Sequence, residues 1–180
     1  MRMFRMLLLA ALVAAALPAP ALTVLPATFE ELVRESVAVV HGRVRDVRGH
    51  WTADRRTIES TVTLEVYGAF KGAETDTATF VVPGGEAGGR ILVMPGAPTF
   101  RAGDEVVVFL RGRAPSLPQP VGLSLGVYRV AHPVGGAAMV VPSPVHAATT
   151  PTTVARGTTA RRVTPLATFA ADVRAVGDAR

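Results

Sequence analysis

A serine flanked by glycines is the first residue of this sequence whose surroundings could support catalysis. The pentapeptide GLSLG at residues 122–126 has the Gly-x-Ser-x-Gly spacing of the nucleophile elbow of serine hydrolases. That elbow needs a helix directly after the serine, then an acid and finally a histidine further along the chain. Here a hairpin pattern follows, and the downstream histidines, His132 and His146, both precede the next acid, Asp172. We therefore predict a glycine-flanked turn that leads into a strand, with a serine hydrolase built on Ser124 as an alternative function.

The histidines are too far apart in the sequence to form a metal-binding motif. His41, His50, His132 and His146 include no H-x-H or H-x-x-x-H pair, the spacings that preorganise two imidazoles for a metal. His41 falls in a predicted strand, where we expect a half-exposed side chain, and His50 falls in a polar hairpin loop. The chain has no cysteine, which excludes thiolate-bound zinc, iron–sulfur clusters, cysteine nucleophiles and disulfide bonds. We predict no metal and no cofactor.

Acidic pairs and one glycine-rich segment complete the candidate sites. Glu30 and Glu31 are explained by the start of a helix, and Asp104 follows a glycine, as in many turns. The segment PGGEAGGR at residues 83–90 has glycines that could cradle a ligand, but it lacks the Lys-Ser/Thr pair of a P-loop and no helix follows. We interpret it as a flexible loop between strands. The sequence thus predicts a protein that is not an enzyme, without catalytic, cofactor-binding or metal-binding residues.

The N-terminus has the pattern of a cleavable export signal. Arg2 and Arg5 precede an apolar run at residues 6–17, and residues 19–21 have the small-x-small form that signal peptidase needs. The run is shorter than the roughly 20 apolar residues of a membrane-spanning helix. We predict a signal peptide at residues 1–21 and an exported protein, periplasmic or secreted, without a membrane span.

The excess of basic residues does not predict a nucleic-acid partner. The formal net charge is +5, and Lys71 is the only lysine among the 19 basic residues. Alanine, valine, glycine and arginine dominate the composition, which suggests a GC-rich bacterial genome. The sequence contains no interleaving of aromatic with basic residues and no recognised nucleic-acid-binding module. We therefore expect no nucleic acid among the partners.

The elements that must position these residues are mainly short strands. A capping box that begins at Thr28 predicts a short helix over residues 29–35. The β-branched segment 37–47 changes its apolar phase at Gly42, which suggests a bulge or a sharp bend. Residues 57–66 alternate between apolar and polar side chains, as a strand with one buried face does.

The second half of the chain adds a central strand, a hairpin and a linker. Val106–Leu110 is apolar throughout, which predicts a strand buried on both faces. Residues 128–130 and 139–141 flank a turn sequence and predict a hairpin. Residues 142–163 are rich in Ala, Thr, Pro and Arg without periodicity, and we expect them to form a flexible linker.

A terminal helix over residues 164–180 is predicted to dock on the β-domain. Thr164 is the expected N-cap, and Pro165 is the expected first helical position. Four apolar residues recur at helical spacing in this segment: Leu166, Phe169, Val173 and Val176. Together the patterns predict an all-β fold with short flanking helices, in which residues 22–141 form a small OB-like β-barrel of about six or seven strands.

Several segments resemble a family of uncharacterised exported bacterial proteins. The segments are VVHGRV at 39–44, VYGAFKG at 66–72, VPGG at 82–85, PGAPTFRAGDEVVVFL at 95–110 and GLSLGVYRV at 122–130. The resemblance covers roughly residues 28–141, and the segment 95–110 is its most specific part. Members of that family have no agreed activity and tend to be encoded near matrixin-type metalloproteases.

The strand order also resembles, more distantly, the netrin-like OB-type module of the tissue inhibitors of metalloproteinases. Those inhibitors chelate the protease zinc through an N-terminal cysteine, and this chain has none. The resemblance therefore implies the fold but not that mechanism. We expect an exported, monomeric, non-enzymatic domain that binds an extracytoplasmic macromolecule or has a structural role. The alternative is a regulator or inhibitor of a secreted metalloprotease.

Overall fold

The computed structural model describes residues 28–112, 114–143 and 162–179. These residues form a mainly β fold with short helices. The elements, in chain order, are α1 (Phe29–Glu35), β1 (Ala38–Trp51), β2 (Ile58–Lys71), β3 (Thr77–Pro83), β4 (Gly85–Ala87), β5 (Arg90–Leu92), β6 (Glu105–Arg111), β7 (Gln119–Pro120), a short 3₁₀ helix (Leu123–Gly126), β8 (Val127–Ala131), β9 (Met139–Pro142), β10 (Thr164–Pro165) and α2 (Leu166–Asp178).

The short helix α1 is closed at both ends by side chains. Thr28 Oγ1 accepts a hydrogen bond from Glu31 N at 3.1 Å, and Glu31 Oε2 accepts one from Thr28 N at 2.7 Å, which confirms the predicted capping box. At the other end, the Lys71 ammonium donates to the backbone carbonyls of Val33 and Ser36. Lys71 thereby satisfies carbonyl groups that the last turn of a helix leaves without partners.

The main sheet is antiparallel, with the order β10-β9-β8-β6-β1-β2-β3, and β7 also pairs with β6. The pairing of β1 with β2 shifts register between His41 and Gly42, which confirms the predicted irregularity there. At the far edge, Val81 N of β3 donates to Pro118 O, just before β7, at 3.0 Å. The described residues form a large sheet with this contact between its β3 edge and the β7 segment, and not a closed barrel.

The strand β6 separates two apolar clusters. Its residues Val106, Val108 and Leu110 lie in a first cluster, with side chains from β1, β2 and β3. Its residues Val107 and Phe109 lie in a second cluster, which α1 and α2 cover. All five side chains are buried. The prediction of a central strand that is buried on both faces is therefore confirmed.

Two local predictions are wrong. The segment 83–90, interpreted as a flexible loop, contains the β4–β5 hairpin. Its turn residues Gly88 and Gly89 have φ values of 57° and 71°, as a two-residue type I′ turn requires. Thr164 is not the N-cap of α2, because it pairs with β9 and Pro165 takes the cap position.

The apolar stripe of α2 packs where its spacing predicts. Phe169 and Val173 are buried in the second cluster, and Leu166 and Val176 pack against it. The predicted signal peptide at residues 1–21 and most of the predicted linker lie outside the described residues. Within the described part of the chain, neither α-helix has the length and apolar character to cross a membrane.

Candidate binding groove

A groove of about 890 Å³ opens between the β4–β5 hairpin and the segment 93–100. Val82 and Phe100 line it and also belong to the first apolar cluster, so the groove reaches the core of the sheet. Both side chains are buried. The rest of the lining comes mainly from the hairpin and the opposite segment, which form its two walls.

Glycines allow the hairpin wall to lie directly on the sheet. A Cβ atom on Gly49 of β1 would lie 2.0 Å from Glu86 O, so only glycine permits this backbone crossing. A Cβ atom on Gly85 would lie 2.0 Å from Ser60 Oγ. The same Ser60 hydroxyl donates to Gly84 O at 2.8 Å and fixes the start of the hairpin.

Ser124 and Arg129 hold the opposite wall. The backbone N of Ser124 donates to Gly96 O at 3.1 Å, and its buried hydroxyl donates to the same carbonyl. Arg129 Nη2 donates to Thr99 O at 2.6 Å, and Arg129 Nη1 lies 2.5 Å from Asp104 Oδ2. Ser124 sits in the 3₁₀ helix that runs straight into β8, which confirms the predicted turn into a strand. Its hydroxyl is thus engaged in anchoring a loop.

The surface of the groove is apolar and nearly without charge. Ile91 is 73 % exposed and Val93 is 81 % exposed, and Met94 beside them is also exposed. Glu86 is the one charged residue that lines the groove within the described part of the chain. Exposed apolar side chains are ordinary when scattered, but a group of them beside a concave surface is typical of a binding site.

A second constellation joins two histidines through one carboxylate. Glu105 Oε1 lies 2.8 Å from His41 Nε2, and Glu105 Oε2 lies 2.9 Å from His132 Nε2. The side chain of Glu105 is only 12 % exposed, whereas that of His132 is 62 % exposed. The His41 ring packs edge-on against Tyr67 and stacks on Phe70, with centroid distances of 5.5 and 6.0 Å.

The charge state of Glu105 follows from its surroundings. Partial burial raises the pKa of this carboxyl, and hydrogen bonds and charge interactions with His41 and His132 lower it by more, so that the pKa lies below its ordinary value. Glu105 is therefore ionised at neutral pH. Since an ionised carboxylate only accepts hydrogen bonds, both histidines must donate through Nε2.

The structure brings His41 and His132 together through Glu105, and it places His50 elsewhere. His41 is more buried than the expected half-exposed position, because its ring is enclosed by Tyr67 and Phe70. His50 is exposed as expected, but it lies in β1 and pairs with Glu59. His146 lies outside the described residues.

Glu105 was missed as a candidate site residue, because its partners are 64 and 27 positions away in the sequence. The register of β1, β6 and β8 is what brings the three side chains to one face. Among the residues that the structure describes, no group of three or more His, Asp or Glu side chains is arranged to hold a metal ion.

Comparison with known proteins adds no assignment to this geometry. Neither the models of known protein families, nor the curated proteins, nor the solved structures give a match to this chain.

Proposed function

We propose that this chain is an exported, non-catalytic binding domain that holds an extended, uncharged and apolar segment of an extracytoplasmic macromolecule in its groove. The observation that carries the proposal is the exposure of Ile91 and Val93 along the wall of a concave surface. Export rests on the N-terminal sequence pattern at residues 1–21. The partner belongs to the compartment to which that signal directs the chain.

The shape and chemistry of the groove favour an extended peptide. Its walls are a two-stranded hairpin and an irregular segment, so an extended chain can lie between them. Glycines line much of the hairpin wall, so no side chains there would keep a ligand from approaching the backbone, as recognition by main-chain hydrogen bonds requires. A charged segment would lose its hydration without gaining an ion pair, except near Glu86.

The OB-like barrel is part of the same proposal. The contact between Val81 N and Pro118 O, which links β3 to the β7 segment, supports a barrel-like curvature of the sheet. Regulation of a secreted metalloprotease would be one instance of this binding function, and it rests on the sequence resemblance alone. The hydrolase alternative finds no support in the geometry, since the Ser124 hydroxyl is buried and donates to Gly96 O.

The proposal is tested by changing the groove without changing the fold. Peptides selected from a random library on the wild-type protein should bind Val93→Asp at least about tenfold more weakly, a loss of about 1.4 kcal/mol, because a charge then lies on the apolar wall. Val134→Asp is the matched control, since Val134 is also a fully exposed valine but lies outside the groove. Isothermal titration calorimetry measures the affinity of the selected peptides for the wild type and for both variants.

The outcome that contradicts the proposal is equal binding by the wild type and Val93→Asp, or a loss of the same size in Val134→Asp. The protein captured from the native envelope and culture fluid then identifies the natural partner. A metalloprotease among the captured proteins whose binding Val93→Asp weakens would favour the regulatory alternative.

A further inference from the structure

The bridge between His41, Glu105 and His132 joins three parts of the chain that are distant in sequence. His41 lies in β1, Glu105 begins β6, and His132 follows the last residue of β8. His132 also begins the loop 132–138, which leads from β8 to β9. The pairing of Ala131 with Met139 joins the two ends of the loop to each other, and the carboxylate of Glu105 connects its first residue to the centre of the sheet.

The two histidines are held unequally. The side chain of His41 is 12 % exposed and is enclosed by Tyr67 and Phe70. His132 is mostly exposed, and Glu105 is the partner that the structure gives to its ring. If the bridge breaks, His41 is kept in place by its aromatic neighbours, and His132 is the member that moves.

The charges around Glu105 favour its ionised form. Arg43 is its cross-strand neighbour on β1, and Asp104 beside it is neutralised by Arg129 of β8. Tyr67 of β2 faces His41, and Arg174 of α2 lies 5.7 Å from the centre of the Phe70 ring. Glu65 of β2 lies opposite Arg43 and is a second carboxylate on this part of the sheet, and it pairs with Arg45 at 3.0 Å.

We propose that His41, Glu105 and His132 form an acid-released latch that fixes the loop 132–138 to the centre of the sheet. While Glu105 is ionised, its two oxygens accept one hydrogen bond from each imidazole. When Glu105 itself takes up a proton, one of its oxygens becomes an O–H donor and no longer accepts a hydrogen bond from an imidazole. His132 then leaves, and the loop is held only by the pairing of β8 with β9 at its base.

The direction of the pH effect follows from the pKa of Glu105. Because the folded state lowers this pKa, the bridge stabilises the fold above the pKa that the group has in the unfolded chain. This contribution is lost as the pH falls through the lowered value. The latch is therefore closed at neutral and mildly acidic pH and opens only in stronger acid. It does not depend on the proposed binding groove.

An NMR titration of the isotope-labelled chain between pH 7 and pH 2.5 tests the latch. The Glu105 side-chain carbonyl should titrate with a midpoint below the ordinary value of about 4.3. The amide resonances of Gly135 and Gly136 in the loop should shift with that same midpoint. In Glu105→Gln this acid inflection should be absent from the loop amides. Already at neutral pH, the loop amides of this variant should have the chemical shifts that the wild type shows only in acid.

His132→Ala supplies an independent test, because its exposed side chain is not needed for folding. This variant should remove the inflection of the loop amides and raise the Glu105 midpoint towards its ordinary value. His50→Ala, which removes the exposed pair with Glu59, should change neither the inflection of the loop amides nor the Glu105 midpoint. A Glu105 midpoint at its ordinary value, or loop amides that do not follow the Glu105 titration, would overturn the latch.

Discussion

The central strand β6 and the wall of the groove use the same kinds of apolar residue in opposite ways. Val106–Leu110 has strands on both sides and an apolar cluster on each face, and its side chains are fully buried. Ile91 lies in the three-residue strand β5, which pairs with one short partner, and Val93 follows that strand. Both side chains remain exposed. Burial is therefore decided by the neighbours that the topology supplies and not by residue type. Apolar residues without such neighbours are available for binding.

The largest expected effect is on the free energy of unfolding, which a substitution in β6 should lower far more than one in the wall of the groove. Phe109→Ala should cost about 3–5 kcal/mol of the free energy of unfolding, because Phe109 packs against Phe29 and Phe169 in the second cluster. That is comparable to the whole stability of a small domain, roughly 5–15 kcal/mol, so this variant should fold poorly or not at all. Val93→Ala should change the free energy of unfolding by less than about 0.5 kcal/mol. Thermal melts compare the two, and a melting temperature of Phe109→Ala within a degree or two of wild type would contradict the central position of β6.

A smaller effect is expected where the hairpin wall meets the sheet. Gly85→Ala places a Cβ atom against Ser60 Oγ and must break the hydrogen bond from Ser60 to Gly84, in addition to straining a backbone at φ 132°. Gly89→Ala has a positive φ as well, but open space around the new Cβ atom. Since the lost buried hydrogen bond costs about 1–3 kcal/mol, Gly85→Ala should be less stable than Gly89→Ala by at least about 1 kcal/mol in urea unfolding. Equal losses would mean that the hairpin does not rest on the sheet through Gly85.

The smallest expected effect concerns the anchor of the opposite wall. Ser124→Ala removes the hydroxyl that donates to Gly96 O, and it should lower the free energy of unfolding by about 1 kcal/mol. Ser116→Ala, which changes an exposed serine, should have no measurable effect on unfolding. A fluorophosphonate probe should not label Ser124. Labelling at Ser124 would contradict both its role as an anchor and the non-catalytic function.

Much of the fold follows from local patterns in the sequence. The capping box at Thr28, the irregularity at Gly42 and the buried strand at Val106–Leu110 each depend on residues that are close in the chain. The β4–β5 hairpin also has a local signal, because a Gly-Gly pair is typical of a two-residue hairpin turn. The segment 83–90 has two further glycines and a proline, which are equally typical of a flexible loop.

The candidate sites could not be predicted, because they depend on contacts between distant segments. The groove needs the hairpin to cross β1 at Gly49 and the segment 93–100 to be held by Ser124 and Arg129. Glu105 meets His41 and His132 only through the register of three strands. Spacing rules for motifs detect residues that one element brings together, and here three elements are needed.

The position of Lys71 has a consequence for chemical labelling. Apart from the α-amino group, it is the only amine of the chain, since all other basic side chains are arginines or histidines. Its ammonium is occupied by the carbonyls of Val33 and Ser36 at the end of α1. Amine-reactive dyes and surface-coupling reagents should therefore react first at the N-terminus, which attaches each molecule through a single group. Acylation of Lys71 would remove the charge that closes α1, so the extent of its modification reports how often that helix end opens.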